Sequence, residues 1–253
     1  MTVVADTASV TQRNLWHFVR QPDLLLFSTI QPVMFVLLFV FVFGGAIEPS
    51  LPRGVEYVDY LLPGILVQSV AFRSSQTAVG LAEDLQRGVM DRFRSMPMAR
   101  SAVLTGRTFA DLVRNAAILA LMITVGYVVG FSFQNGVLEA AAAIGLILAF
   151  GYALSWVFAT IAFVAKGAEA AQSAGFVAIF PLVFASSVFV PVETMPTWLQ
   201  GFAENNPVSV TADAARSLSI GGEVGSAAIE SIAWSAGIAV VFGVLAVWRY
   251  NRI

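Results

Sequence analysis

The most charged stretch of the sequence is the short segment from Glu83 to Met98, in which acids, arginines and methionines alternate. Gly88 and Pro97 are expected to bend the chain there. Apolar side chains rimmed by charge are typical of docking surfaces, whereas a plain solvated loop is the alternative. We predict docking to a soluble partner. The predicted contact residues are Glu83, Asp84, Arg87, Gly88, Met90, Arg92, Phe93, Arg94, Met96 and Pro97.

A polar face runs along the otherwise apolar stretch 60–80. Ser69, Arg73 and Gln76 share one helical face, and Gln68 lies beside them. Ionisable residues inside a membrane span usually mark a pathway or a buried pair. Arg73 is roughly 10 Å from the end of the stretch by helix rise, so its side chain could instead reach the lipid headgroups. Both interpretations stay open from the sequence.

Phenylalanines cluster beside a proline in two other apolar stretches, around Pro32 and Pro181. Phe176, Phe180 and Phe184 are spaced by four and therefore form one stripe. Core or lipid-facing packing is the simpler interpretation for any single ring. Two aromatic runs beside potential kinks favour a hydrophobic lumen, which suits amphipathic molecules better than ions. The predicted pathway residues are Phe27, Gln31, Phe35, Gln68, Ser69, Phe72, Arg73, Gln76, Phe176, Phe180 and Phe184.

Catalytic and metal-binding residue types are scarce. The chain has no Cys, a single His (His17) and a single Lys (Lys166), whose setting Ala165-Lys166-Gly167 is unlike a phosphate-binding loop. No stretch gathers a nucleophile, a base and an orienting acid. We therefore expect no enzyme activity, no metal and no bound cofactor in this chain. The net charge of −2 argues against nucleic-acid binding.

The elements that position these residues are membrane spans. Hydrophobic residues make up 58% of the 253 residues and charged residues 12%, against about 45–50% and about 25% in soluble domains. A span needs about 20 apolar residues. We predict an all-α polytopic membrane protein, with 1–253 as one transmembrane domain. The six predicted transmembrane helices are 24–44, 60–80, 116–133, 140–164, 170–190 and 232–248.

Charge counting predicts the orientation. Lys and Arg collect on the cytoplasmic side of membrane proteins. With six spans, one side receives Arg13, Arg20, Arg87, Arg92, Arg94, Arg100, Arg107, Lys166, Arg249 and Arg252. The other side receives Arg53 and Arg216 together with Glu48, Glu56, Asp59, Glu193, Glu204, Asp213, Glu223 and Glu230. Both termini are therefore predicted to be cytoplasmic.

Three further features lie outside or at the edge of the spans. Residues 7–20 are predicted to form an amphipathic interface helix, either a plain anchor or a moving element. Residues 191–218 are predicted to form an outer helical hairpin that dips into the membrane as a gate, with Asn206-Pro207 at its turn. Arg107, Asp111 and Arg114 share a helical face and are expected to pair within their own helix.

No acidic residue occurs in the predicted spans, which disfavours a proton relay. The sequence also has no convincing internal repeat, which weakens a secondary-transporter interpretation.

At this point the chain resembles a known family, the membrane subunits of type-2 ABC exporters. The resemblance rests on the order of spans and on three segments. Tyr57–Ile65 is similar to the family's entry to span two. Gly88–Pro97 with Gly106-Arg107 is similar to its coupling region, and Phe189–Pro207 to its outer hairpin. Within the family, the daunorubicin-resistance type of drug-export permease is the most similar branch.

The resemblance implies a permease homodimer in a prokaryotic plasma membrane, surrounded by membrane lipids. A separate cytoplasmic ABC ATPase would bind MgATP and hold the segment 83–98 in a groove. Its closure would switch the pore from inward to outward access. The resemblance also implies that spans one, two and five line the lumen.

Two alternatives remain. The cargo of the same machine could be a lipid-linked glycan or a cell-envelope lipid. For a glycan exporter we expect a lining richer in polar aromatic and carboxylate groups. The chain could instead be an ATP-independent channel or secondary transporter. That alternative predicts no stable partner at 83–98 and no acceleration by ATP.

Overall fold

The computed structural model describes residues 7–8, 10–12, 22–51, 54–89, 100–222 and 225–252. Throughout this part of the chain the regular structure is helical, without β-strands. The helices are α1 (Pro22–Leu38), α2 (Tyr57–Gln86), α3 (Arg100–Val129), α4 (Val137–Ala162), α5 (Ala168–Phe184), α6 (Thr197–Asn205), α7 (Pro207–Ile220) and α8 (Gly225–Arg252). α1 continues through a π-helical turn, Phe39–Phe43, into the short helices Gly44–Ile47 and Glu48–Ser50.

Within the described residues, four helical segments are long and apolar enough to cross a membrane. They are Ile30–Ser50, Leu104–Val129, Val137–Ala162 and Gly225–Tyr250. α5 is apolar but shorter, and α2 is long but carries the polar face predicted for it. The all-helical, multi-pass class is therefore confirmed, while the count of six spans stays a prediction.

α2 lies at the centre of the bundle. It packs against α1, α3, α4, α5 and α7. α2 and α4 approach each other closely at Gly151 of α4, where a glycine is needed because a Cβ would overlap a methyl group of Val70. The hydroxyl of Ser74 donates to the Gly151 carbonyl at 2.9 Å across the same contact. Because neighbouring helices surround α2, much of its polar face is shielded from lipid.

The loops between the helices lie at two opposite ends of the bundle. At the Gln86 end, Gly167 lies against the side chain of Gln86, and the rings of Phe163 and Tyr250 are 5.9 Å apart. At the Tyr57 end, the loop between α3 and α4 meets the end of α7, where the Gln134 amide donates to the Ser219 carbonyl at 2.8 Å. Which end faces the cytoplasm stays a prediction.

α5 ends at Phe184, six residues before the end of the predicted span 170–190. The side-chain amide of Asn206 donates to the carbonyls of Leu182 and Ala185 at 2.6 and 2.9 Å, and so caps the end of α5. The Asn206 side-chain oxygen also accepts from the Val208 amide and caps the start of α7. One residue thus fixes where one helix ends and another begins.

The helix that contains most of the predicted span 116–133 has different bounds from the span. α3 begins at Arg100 and ends at Val129, where Gly130 adopts a φ of +113°. That left-handed conformation suits glycine and stops the helix. Residues 131–133 belong to the following loop.

The predicted interface helix 7–20 falls mostly outside the described residues. Its described part is helical, and Val10 is buried against Gly106 of α3. In the predicted hairpin segment 191–218 the structure has α6 and α7. Interfacial placement of the first and membrane insertion of the second stay predictions.

Candidate functional site

A cavity of about 370 Å³ lies between α1, α2, α3 and α5. Its lining residues mix amides, hydroxyls, guanidinium groups and aromatic rings. They are Gln31, Pro32, Phe35, Gln68, Ser69, Phe72, Arg73, Ser75, Gln76, Arg114, Gln172 and Phe176. The cavity therefore has a polar and cationic part as well as an aromatic part, and residues of both parts were predicted from the sequence.

Most of the predicted pathway residues meet at this cavity. Those that line it are Gln31, Phe35, Gln68, Ser69, Phe72, Arg73, Gln76 and Phe176. Phe180 and Phe184 lie further along α5, outside the lining. Phe27 lies in the part of α1 whose side chains the structure does not describe. Whether cargo passes these residues is a proposal taken up below.

A series of phenylalanine rings leads from the cavity toward the Tyr57 end. The ring centroids of Phe72 and Phe176 are 6.4 Å apart, and Phe176 is followed by Phe180 at 5.1 Å. Phe180 stacks on Phe184 at 4.3 Å. The series then leaves α5 and reaches Phe189 at 5.5 Å, which stacks on Phe39 of the π-helical turn at 4.5 Å. We call these six rings the phenylalanine series.

Sequence reasoning missed several members of this site. Gln172 precedes Phe176 by one helical turn, so the spacing that revealed the phenylalanine stripe also contained this glutamine. Phe189 gave no such signal, because the chain turns back after Phe184 and helical spacing no longer applies.

The charged residues beside the cavity come from two helices. Arg114 pairs with Asp111 within α3, as predicted, and the hydroxyl of Thr77 in α2 donates to the same carboxylate at 2.7 Å. Arg107 does not join them. It forms an ion pair with Asp84 of α2, with its guanidinium against Gly80.

One prediction is therefore corrected. Arg107 pairs between helices because α2 offers both a carboxylate and, at Gly80, the space for a guanidinium. The candidate membrane segment Leu104–Val129 begins before the predicted span 116–133 and contains the buried acid Asp111, which has an arginine partner.

The amide of Gln68 is a second notable group at the cavity. The side chain is buried, and its oxygen accepts no hydrogen bond from any described residue. Buried polar atoms without a partner are uncommon in native proteins. Gln68 is therefore a candidate contact for a bound molecule.

A second polar cluster lies at the Tyr57 end, where Arg216 of α7 is buried. Its Nε donates to the Tyr60 carbonyl at 2.7 Å, and its terminal nitrogens donate to the carbonyls of Ser187 and Val188 at 2.5 and 3.1 Å. It also pairs with Asp213. The guanidinium thereby bonds the non-helical backbone that follows α5, and the tyrosine ring of residue 60 lies 3.7 Å from it.

The start of the predicted docking segment is described, and its later part is not. α2 ends at Gln86, followed by a turn in which Gly88 has a φ of +67°. Glu83 and Arg87 form an exposed ion pair at 3.3 Å, whereas Asp84 is engaged with Arg107. The remaining predicted contacts lie outside the described residues; they are Met90, Arg92, Phe93, Arg94, Met96 and Pro97.

Membrane-crossing helices around a mixed polar and aromatic cavity are typical of membrane transport proteins. Sequence comparison identifies the class. The pattern of the ABC-2 type transporter family matches residues 6–219, and the chain belongs to this family of transporter permeases.

The curated relatives match nearly the full length of the chain. The daunorubicin resistance ABC transporter permease protein DrrB1 of Streptomyces coeruleorubidus is 34% identical, over 98% of this chain and 88% of its own. The probable doxorubicin resistance ABC transporter permease protein DrrC of Mycobacterium tuberculosis is 27% identical, over 98% and 89%. The putative transport permease ycf38 of the alga Porphyra purpurea is 22% identical, over 85% and 74%.

Proposed function

We propose that this chain is the membrane-spanning subunit of an ATP-driven exporter of hydrophobic or amphipathic molecules in a prokaryotic plasma membrane. The observation that carries the proposal is the cavity, together with the phenylalanine series that leaves it toward the Tyr57 end. Such a route suits a cargo with both polar and apolar parts. The names of the curated relatives, which refer to daunorubicin and doxorubicin resistance, support a drug-like cargo.

The energy would come from a separate ABC ATPase that binds MgATP and docks at 83–98, at the cytoplasmic Gln86 end. α2 joins this end directly to the cavity, because Glu83, Asp84 and the lining residue Gln76 belong to one continuous helix. The ion pair of Asp84 with Arg107 ties α3 to the same movement. A displacement of the docking segment would thus reach both helices and change access to the cavity.

A second copy of the chain would complete the pore. α1 and α5 border the cavity, and both expose large apolar side chains. Met34 and Phe41 on α1 and its extension and Phe176 on α5 are each more than half exposed, at 58%, 74% and 54%. A homodimer formed through these faces would enclose the phenylalanine series between the two copies.

A cell-envelope lipid is the second candidate cargo. It is favoured by the four glutamines of the lining, which suit a polar headgroup. The lipid-linked glycan alternative called for carboxylates, and the described lining has none. A drug-like amphiphile therefore remains the first choice.

The partner is tested by purifying the tagged chain from its native membrane in mild detergent and identifying what accompanies it by mass spectrometry. We expect a near-stoichiometric ABC ATPase. Replacing Arg87, Arg92 and Arg94 together with Ala should remove the ATPase and abolish ATP-dependent doxorubicin uptake into inverted vesicles. Replacing Lys166, an exposed basic residue at the same end, is the matched control. ATP-independent transport by the purified chain would contradict the proposal.

The route is tested by Phe180→Ala. Removing this ring interrupts the phenylalanine series, so we expect a changed KM for the transported amphiphile with an unchanged amount of bound ATPase. Val177→Ala, on the exposed surface of the same helix, is the control. An effect of Phe180→Ala on expression alone would leave the ring a purely structural role.

A further inference from the structure

We infer that a groove between α4 and α8 binds an acidic phospholipid of the membrane. One acyl chain of this lipid lies in the groove, and its phosphate is bound by Arg249 and Arg252 near the end of α8. The inference goes beyond the proposed function, because the groove is separate from the cavity between α1, α2, α3 and α5. Binding requires neither ATP nor the partner subunit.

The groove is open and mainly apolar, with a volume of about 650 Å³. α4 contributes the rings of Tyr152 and Trp156, whose centroids are 6.1 Å apart and whose planes are nearly perpendicular. α8 contributes Val240 and Val244, which are both exposed. Gly243 keeps the space between the helices open, because a Cβ there would already contact the Trp156 ring at 3.8 Å. The groove therefore offers an acyl chain a surface of small and aromatic side chains.

Two guanidinium groups lie beside the groove at the Gln86 end of the bundle. Trp248 lines the groove, and the Cζ atoms of Arg249 and Arg252 lie 5.4 and 4.0 Å from the centre of its ring. Both arginines are exposed, and neither forms an ion pair within the part of the chain that the structure describes. Both are therefore accessible to an anion at the end of the groove.

The chemistry of these groups fits the headgroup of a phospholipid. Guanidinium groups bind phosphate through two parallel N–H···O bonds, and contact with an aromatic ring favours their position. Basic residues at a helix end are common in membrane proteins and alone indicate no site. Here one tryptophan contacts both arginines and also lines the groove, so a charged headgroup and its acyl chain can be bound side by side. Basic pockets between membrane helices are a recurrent setting for acidic lipid headgroups.

The length of the groove fits one leaflet of a bilayer. Its lining on α8 extends from Ala239 to Trp248, which is about 14 Å by helix rise. The hydrocarbon of one leaflet is about 15 Å thick, half of the core of a typical bilayer. An acyl chain that fills the groove therefore brings its phosphate to the level of Arg249 and Arg252.

A second copy of the chain is the other occupant to consider for an exposed apolar face. The homodimer proposed above uses the faces of α1 and α5, whereas α8 packs mainly against α4, α7 and α3. A dimer of that kind leaves the groove facing lipid. An acidic phospholipid also supplies the negative charge that the two exposed arginines lack, so we assign the groove to lipid.

The test uses the purified full-length chain in phosphatidylcholine nanodiscs, after exchange of the co-purified lipid. The probes are phosphatidylglycerol and phosphatidylcholine with identical brominated acyl chains, which quench the fluorescence of nearby tryptophans. Trp156 and Trp248 line the groove, so a chain bound there quenches them. We expect phosphatidylglycerol to bind about tenfold more tightly than phosphatidylcholine, and the preference to weaken at high salt. Equal binding of the two probes by the wild-type chain would overturn the inference.

The arginines are tested by charge and by shape. Replacing Arg249 and Arg252 together with Gln should abolish most of the preference for the acidic probe. Replacing both with Lys should keep part of it, because Lys retains the charge but not the paired hydrogen bonds. Lys166→Gln removes an exposed charge at the same end and should leave the preference intact. A folded double Gln variant that still prefers phosphatidylglycerol would contradict the assignment of the headgroup.

Gly243→Leu separates a lipid site from a general attraction of acidic lipid to positive charge. The new side chain would occupy the groove and should remove most of the preference while both arginines remain. Gly237→Leu, whose Cβ would have no neighbour within 4 Å, is the control on the same helix. If Gly243→Leu does not fold, Val244→Phe at an exposed position of the lining takes its place. An undiminished preference in the folded groove variant would overturn the inference.

Tryptophan replacements identify where the acidic probe binds. Replacing Trp156 and Trp248 with Phe should remove most of the difference in quenching between the two probes. Replacing Trp198 and Trp234, which are exposed and lie outside the groove, should retain the difference. The reverse result would overturn the inference and indicate that a second copy covers the groove. These measurements do not involve the ATPase, so failure of the proposed transport and failure of this inference give separate results.

Discussion

Two arginines of this chain illustrate two uses of one residue type inside a membrane protein. Arg216 is 6% exposed and bonds three backbone carbonyls, a hydroxyl and a carboxylate. Arg73 lines a cavity of about 370 Å³ together with a second arginine. The Arg216 guanidinium stabilises the fold through these bonds, whereas the Arg73 guanidinium lines a space large enough for a ligand.

The difference follows from the backbone around each arginine. The chain after α5 is not helical, so its buried carbonyls at Ser187 and Val188 have no donors within a helical backbone and need side-chain donors; the Tyr60 hydroxyl donates to Ser187, and both carbonyls need more than this one donor. Arg216 provides them. Arg73 lies within α2, whose backbone bonds are made inside the helix, so the backbone around it does not require a side-chain donor. Burial alone therefore does not show whether an arginine is needed by the surrounding backbone.

Among the variants that test this comparison, Arg216→Gln is expected to lower the free energy of unfolding most. The substitution removes the charge partner of Asp213 and most donors to the Ser187 and Val188 carbonyls. We expect a loss of about 3–5 kcal/mol in the free energy of unfolding, as for other broken buried pairs. Thermal unfolding followed by the fluorescence of the five tryptophans measures it. A melting temperature equal to that of the wild type would show that Arg216 does not hold this region together.

Gly64→Ala should have a smaller effect on the same cluster. A Cβ at residue 64 would lie 2.5 Å from the Val188 carbonyl oxygen and 2.9 Å from a terminal nitrogen of Arg216. Such crowding typically costs about 1–3 kcal/mol. Gly145→Ala is the control, because its Cβ would meet no atom within 4 Å. The same unfolding assay should show loss for the first variant and no loss for the second, and equal melting temperatures would contradict the close packing.

Arg73→Gln should have the smallest effect on stability. Arg114 keeps its partner Asp111, and one of two neighbouring positive charges is removed. We expect the free energy of unfolding to fall by less than it does in Arg216→Gln, because Arg73 lines a cavity whereas Arg216 bonds three backbone carbonyls. A destabilisation as large as that of Arg216→Gln would place Arg73 among the architectural arginines and remove the contrast.

Much of the fold could be predicted from the sequence. Apolar runs of sufficient length located the regions of α1, α3, α4 and α8, because the cost of polar groups in lipid leaves a strong compositional signal. The end of α5 could not be predicted, because it depends on Asn206 reaching back across the chain to carbonyls more than twenty residues earlier. Helix ends made by tertiary hydrogen bonds have no local signature.

The site was predictable to a similar degree. The polar face of α2 and the phenylalanine stripe on α5 could be predicted from the sequence, because helical spacing alone places their residues together. The partner of Arg107 was not, because local spacing favoured Asp111 while the fold provides Asp84 beside Gly80. Arg216 seemed a minor basic residue of an acidic surface, and only the folded chain reveals it as the centre of a buried cluster.

The π-helical turn Phe39–Phe43 makes the cavity sensitive to chain length as well as to residue identity. A π-helical turn holds one residue more than the α-helical ladder requires. Deleting one residue there would restore a regular helix and rotate Gln31 and Phe35 by about 100° relative to the residues that follow the turn. Insertions and deletions at this position would therefore alter the shape of the cavity while every residue in its wall stays the same.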